Sequence, residues 1–206
     1  MLRSLRLALL PPLGPSFGLA AALLVLLITP AQARSRNAGA DPVVVCVLAP
    51  RVEAVDEGDA VGALLSAKPL LVVVEPLQEV RIERAGRLLW RGRAGPGQSI
   101  RAPLPWPLAP IQPGEQLLLR LQPVGASAES FAHVQLRGAS AARMASTAAL
   151  IERLGPGPQA WLAAVETALQ DGDVALAWAL LFAPQAPQAG ELDSLRAEVL
   201  RRGCGE

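Results

Sequence analysis

The chain has 206 residues, 51% of them hydrophobic and only 3% aromatic, with 19 basic residues against 18 acidic. That length accommodates one domain with a small appendage, and the near-neutral balance argues against nucleic-acid binding by phosphate neutralisation or an electrostatic grip on anionic lipid. One histidine, His133, and two cysteines, Cys46 and Cys204, exclude a histidine-rich zinc centre, and no cofactor-binding pattern is present.

Residues 1–33 read as a secretory leader. Arg3 and Arg6 supply the positive start, and Phe17 to Ile28 form an unbroken apolar core of 12 residues. As a helix this core is about 18 Å long, short against a hydrocarbon layer of about 30 Å. Pro30 stops it, and Ala31-Gln32-Ala33 is the small-x-small pattern that a signal peptidase accepts. The expectation is therefore a signal helix cleaved after Ala33, with a mature chain that begins at Arg34 and resides in the periplasm or outside the cell. Arg34 stands where a lipoprotein would need cysteine, and no Arg-Arg pair precedes the core, which favours the general secretory route. The alternative is a retained signal anchor, the one circumstance in which the chain would touch membrane. Lys68 is the sole lysine, a composition expected of a GC-rich bacterial genome.

Residues 34–42 form a polar linker, and strand signals follow. Val43–Leu48 is a continuous β-branched run bounded by Pro42 and Pro50, consistent with a buried strand. Glu53 to Gly62 is acidic and turn-rich. Leu70–Glu75 lies between prolines, and Glu79–Arg84 alternates, with Val80 and Ile82 on one face. Ala85-Gly86 connects it to Arg87–Arg91 as a hairpin, and further strands are expected at Ser99–Ala102, Gln116–Leu121 and Phe131–Leu136. Short strands so closely punctuated predict an antiparallel β-sandwich over residues 43–138.

From residue 139 to 206 the period becomes helical. Ser140 caps a first helix carrying Met144, Ala148 and Ile151, ended by Gly155. Pro158 opens a second, with Trp161, Val165 and Leu169 on one face. Asp173 caps a third holding Val174, Trp178 and Leu181, and a fourth follows Pro187 and Gly190, with Glu191 and Asp193 in its first turn and Arg201-Arg202 in its last before Gly203. Such short helices must bury a face. Trp178→Ala is accordingly expected to cost roughly 3–5 kcal/mol.

Cys46 and Cys204 are a candidate disulfide, suited to an oxidising compartment and closing a loop of 158 residues. The alternative is a buried thiol at Cys46 and a free one at the terminus. Six arginines fall in the 21 residues from Arg81 to Arg101, interleaved with Glu79 and Glu83. Arg81, Arg87, Trp90 and Arg91 are the candidate binding surface, an anion or polysaccharide contact with Trp90 as stacking platform. The competing reading is a solvated hairpin face whose charges discourage edge pairing.

Several segments imitate chemistry without carrying it. Gly92 to Ser99 has the outline of a phosphate loop, but Gln98 occupies the lysine position and Pro103 and Pro105 follow where a helix is needed. Asp56-Glu57-Gly58-Asp59 lacks the ligand spacing of a calcium loop, and Ser99 sits outside a nucleophile elbow. No catalytic residue is identified.

Ile111-Gln-Pro-Gly-Glu-Gln-Leu117 resembles the corner that leads into the sixth strand of immunoglobulin-like and fibronectin type III-like sandwiches, with Leu117 replacing the usual tyrosine. Together with Trp178-Ala-Leu180-Leu181, the chain resembles exported cyanobacterial proteins in which a strand-rich domain with such a corner precedes short helices. The resemblance spans residues 69–183 and implies an envelope-facing protein. The expected architecture is mainly β with α: an immunoglobulin-like sandwich, then a small helical unit. The expected role is a non-enzymatic binding or structural module of the periplasm or cell envelope, its partner a protein or other envelope component. The alternative is a carbohydrate-processing or hydrolase accessory whose carboxylates converge only in the fold.

Overall fold

The computed structural model describes residues 32–34, 43–54 and 60–203. The apolar core of the leader, the acidic segment Asp56–Asp59 and Cys204 lie outside the described residues. The strands are β1 (Gln32–Arg34), β2 (Val44–Ala49), β3 (Val52–Ala54), β4 (Ala60–Leu64), β5 (Leu70–Val73), β6 (Leu77–Arg84), β7 (Arg87–Arg93), β8 (Leu104–Pro105), β9 (Gln116–Pro123) and β10 (Ala132–Gly138). Four helices follow: α1 (Ala141–Leu154), α2 (Pro158–Gln170), α3 (Val174–Leu181) and α4 (Gly190–Arg202). One sheet has the order β1-β2-β5-β8 and the other β3-β4-β10-β9-β6-β7. Mixed strand and helix is therefore the observed class.

Strand alternation decides what each sheet buries. Val80 and Ile82 of β6, Leu117, Leu119 and Leu121 of β9, and Val134 and Leu136 of β10 pack with Val45, Val47, Leu71 and Val73 of the smaller sheet. The remaining side chains of β2 and β5, Cys46, Leu48 and Val72, join the helices through Trp161, Leu180, Leu181 and Leu192. The smaller sheet is thus a middle layer, apolar on both faces, which is why Val43–Leu48 shows no alternation. The larger sheet packs one face on the smaller sheet, and its other face carries the charged side chains of β6, β7 and β9.

Four expectations require correction. The sheets are not wholly antiparallel, because β4 runs parallel to β10, with Ala60 opposite Val134 and Leu64 opposite Gly138. Strands β3 and β4 also lie partly within the segment that reads as acidic turns. Gly62 hides the second of them: a Cβ there would come within 3.0 Å of Leu136 Cδ2 and 3.2 Å of Val52 Cγ1, so close strand packing requires glycine. Ser99–Ala102 contributes only a bridge from Ile100 to Leu77, and β8 forms two residues later, its prolines limiting it to an edge pair with Leu70 and Leu71. Among the helices Ala148 and Leu169 are exposed, while Thr147 and Ala168 turn inward. Trp178 is only half-buried, and Trp161 is the tryptophan sealed in the core.

The helix ends follow local chemistry. Ser140 Oγ accepts from the Arg143 amide at 3.3 Å, Asp173 from that of Leu176 at 3.1 Å, and Gly155 closes α1 with φ +59°. Pro158 opens α2, and the Trp161 indole N–H donates to the Gly155 carbonyl at 2.8 Å. Arg143 and Asp173 form an ion pair that ties α1 to the start of α3.

The Pro113-Gly114 corner is pinned to the end of β10. The Gly114 amide donates to the Gly138 carbonyl at 3.0 Å, and the Gly138 amide donates to the Glu115 carbonyl at 2.8 Å. Leu117 enters the core, and the hydroxyl it lacks is replaced by a carboxylate. Glu115 accepts from the Gln112 amide at 2.8 Å and is held by Arg84. A Cβ on Gly138 would lie 2.3 Å from the Gln112 carbonyl oxygen, so the strand must end there in glycine.

Strand β1 pairs antiparallel with β2, setting Gln32 opposite Cys46 and Arg34 opposite Val44. It spans the bond between Ala33 and Arg34 at which cleavage is expected.

Candidate functional site

The outer face of the larger sheet carries the one organised polar cluster that the sequence points to. Because Val80 and Ile82 turn inward, Glu79, Arg81 and Glu83 turn outward. The pairing then sets Arg91 of β7 opposite Arg81 of β6, Arg81 opposite Arg120 of β9, and Arg120 opposite His133 of β10. Three guanidinium groups and an imidazole consequently stand in one row across four strands. With strands about 4.8 Å apart, the row is about 14 Å long. Like charges placed directly opposite each other cost roughly 0.2–1 kcal/mol per pair.

Two carboxylates moderate that repulsion. Glu79, only 1% exposed, accepts from Arg91 Nε at 2.7 Å and Nη2 at 2.9 Å, from Arg93 Nε at 2.7 Å, and from Arg81 Nε. Burial pushes its pKa up, but the hydrogen bonds from Arg91, Arg81 and Arg93 outweigh burial and hold it at about 2. The Glu83 carboxylate lies 3.4 Å from Arg120 Nη1. Beneath the row lies Phe131, fully buried, with Arg81 stacked 4.4 Å and Arg120 4.9 Å from its ring centroid. Among the described residues four arginines meet two glutamates in this cluster, and side-chain exposure rises from 21% at Arg81 to 41% at Arg91 and 61% at Arg93.

The expected surface is only partly assembled. Arg81 and Arg91 meet at Glu79, as adjacent members of the row. Arg87 is exposed at the hairpin tip opposite Arg84, outside it. Trp90 is not beside them: it packs against the core on the inner face, its ring over Gly92, where a Cβ would lie 2.5 Å from Trp90 Cη2. Alternation along β7 forces this, since a residue adjacent to an outward arginine points inward. The stacking platform is thereby removed, and its place under the arginines is taken by Phe131. Arg120 and Phe131 escape a reading of the sequence because they lie 39 and 50 residues beyond Arg81, and only strand register unites them.

A carboxylate held at about 2 stays ionised near neutrality and has no proton to give as a general acid. Among the described residues no three of His, Cys, Asp or Glu converge as a metal site, and no helix is long and apolar enough to cross a membrane. Gly92 and Arg93 end β7 and residues 94–99 form the turn after it, with Gly97 at φ +71°, and the next element is the short strand β8 rather than a helix that could receive a phosphate. Cys46 is disulfide-bonded and 1% exposed, its Sγ 3.8 Å from the Gly203 carbonyl oxygen, and the chain's other cysteine, Cys204, lies outside the described residues.

A shallow cleft lies between the sheets and α3, walled by Pro50, Leu65, Pro69 and Phe182. Arg51 spans it, 5.6 Å from the Trp178 ring centroid, and burial lowers its pKa. This explains the half-buried state of Trp178: its ring is a wall of the cleft and a seat for a cation. Compared with protein-family models, curated proteins and solved structures, the chain matches none.

Proposed function

We propose that this protein is an exported, non-enzymatic binding module of the bacterial periplasm or cell envelope, built on an immunoglobulin-like sandwich with a helical appendage. The carrying observation is the row of Arg91, Arg81 and Arg120 on the outer face of the larger sheet, anchored by buried Glu79. The order β10-β9-β6-β7 supports the immunoglobulin-like reading, since such sandwiches place consecutive G, F, C and C′ strands in one sheet. So does the Pro-Gly corner immediately before β9. Both carboxylates at the centre of the face are held by arginines, which favours a contact surface over a hydrolytic pair.

The test is affinity capture from native envelope on the exported chain, with its N-terminus read by intact mass. The expected result is a chain beginning at Arg34 that retains an envelope component. A full-length species in the membrane fraction overturns the cleaved leader, and an empty eluate overturns the binding role.

A further inference from the structure

We infer that the outer face of the larger sheet is a track for a linear, carboxylate-bearing polysaccharide, laid along the row Arg91–Arg81–Arg120. The inference rests on the binding reading above and names its ligand class. Three observations carry it.

First, the row is in register. Arg91 faces Arg81, and Arg81 faces Arg120, so the three arginines occupy adjacent positions on neighbouring strands at the strand spacing. Such juxtaposition opposes folding. Among the described residues two glutamates, Glu79 and Glu83, pair with the four arginines there, so a ligand that brings further negative charge adds attraction to the row. Second, the face already displays the recognition it would use. Arg91 grips the Glu79 carboxylate through two parallel bonds, and Arg81 and Arg93 reach the same carboxylate through Nε. Planar guanidinium groups match planar carboxylates in this manner. Glu79 serves as the internal carboxylate that fixes Arg81, Arg91 and Arg93 in place, which lowers the ordering cost of binding an external one. Third, the face lacks what other polyanions need. Phe131 is fully buried under the arginines and Trp90 points to the opposite side, leaving no exposed aromatic ring on which nucleobases stack. A flat sheet face of this width does not enter a duplex groove as a helix or two-stranded ribbon does. The whole chain carries a net charge of only +1, so attraction is local to the row rather than a long-range field of the kind that draws a protein to anionic membrane.

The experiment measures binding of the exported chain to polygalacturonate by titration calorimetry. Dextran, a single-stranded DNA oligomer and phosphatidylglycerol vesicles serve as comparisons. Arg120→Gln is expected to weaken polygalacturonate binding about tenfold, the loss of one charge-assisted contact. Arg120 also covers Phe131, so Arg93→Gln, at a 61% exposed side chain, provides a second variant that leaves the core untouched. Its affinity is also expected to fall, with the fold retained by circular dichroism. Arg153→Gln, on an exposed part of α1, removes the same charge elsewhere and is expected to change nothing. Binding should weaken as salt rises. Equal or tighter binding of DNA or vesicles overturns the inference in favour of a phosphate ligand. Equal loss in Arg153→Gln overturns the row. If polygalacturonate is not bound but a native envelope component is still captured, the ligand class falls and the binding module stands. If neither is bound, both fall.

Discussion

Replacing Trp161 by alanine tests the three-layer arrangement directly. Its indole is fully buried within the cluster formed by Leu48 and Val72 of the middle sheet, Leu180 of α3 and Leu192 of α4. It therefore joins one face of the sheet to three of the four helices. Truncation removes the largest sealed side chain of that cluster and its hydrogen bond to the Gly155 carbonyl, 2.8 Å long. A buried tryptophan cut back to alanine costs about 3–5 kcal/mol, because the cavity cannot close between a rigid sheet and packed helices. For a chain of this size that corresponds to a fall in Tm of roughly 6–20 °C. Trp178→Ala should cost less than half as much, since Trp178 is half-buried and its ring contacts the Arg51 guanidinium at the edge of a cleft. Urea unfolding followed by circular dichroism, with both variants beside the parent, measures the two losses. A Trp161→Ala loss below about 1 kcal/mol, or a Trp178→Ala loss that equals it, would refute the idea that the helices pack as a third layer on the smaller sheet.

Glu79 makes stability depend on acid. Its folded pKa of about 2 lies below the ordinary 4.5, so its contribution is present above pH 4.5 and is lost as pH falls from there towards 2. That contribution is roughly 2–3 kcal/mol, and Glu79→Gln should flatten this part of the pH–stability curve; an unchanged slope would show that the three arginines do not hold the carboxylate. Pairing of Cys46 with Cys204 predicts that an alkylating agent labels neither thiol in denatured, unreduced protein, whereas labelling of both would show them free. Reduction of the pair should remove up to about 4–5 kcal/mol of stability, read as a fall in the urea midpoint.

What the chain specifies locally is legible without coordinates. The helix caps at Ser140 and Asp173, the stops at Gly155 and Gly203, the Ala85-Gly86 hairpin and the Pro-Gly corner each depend on a residue and its near neighbours. The doubly buried strand at Val43–Leu48 shows itself in the same way, because a strand covered on both faces has no reason to alternate. Strand β4 does not show itself: Gly62 is a poor strand residue in isolation, and its value arises only when Leu136 and Val52 close upon it. The candidate site divides along the same line. A dense run of arginines around Glu79 is visible in the sequence, but neither its order nor its partners are. Alternation along one strand separates Trp90 from Arg91 and sends them to opposite faces. Register between distant strands adds Arg120 and Phe131, and turns scattered charges into a row. Side-chain type is a property of position in the chain, whereas adjacency across a sheet is set by which apolar faces must be buried together, and that only the assembled core decides.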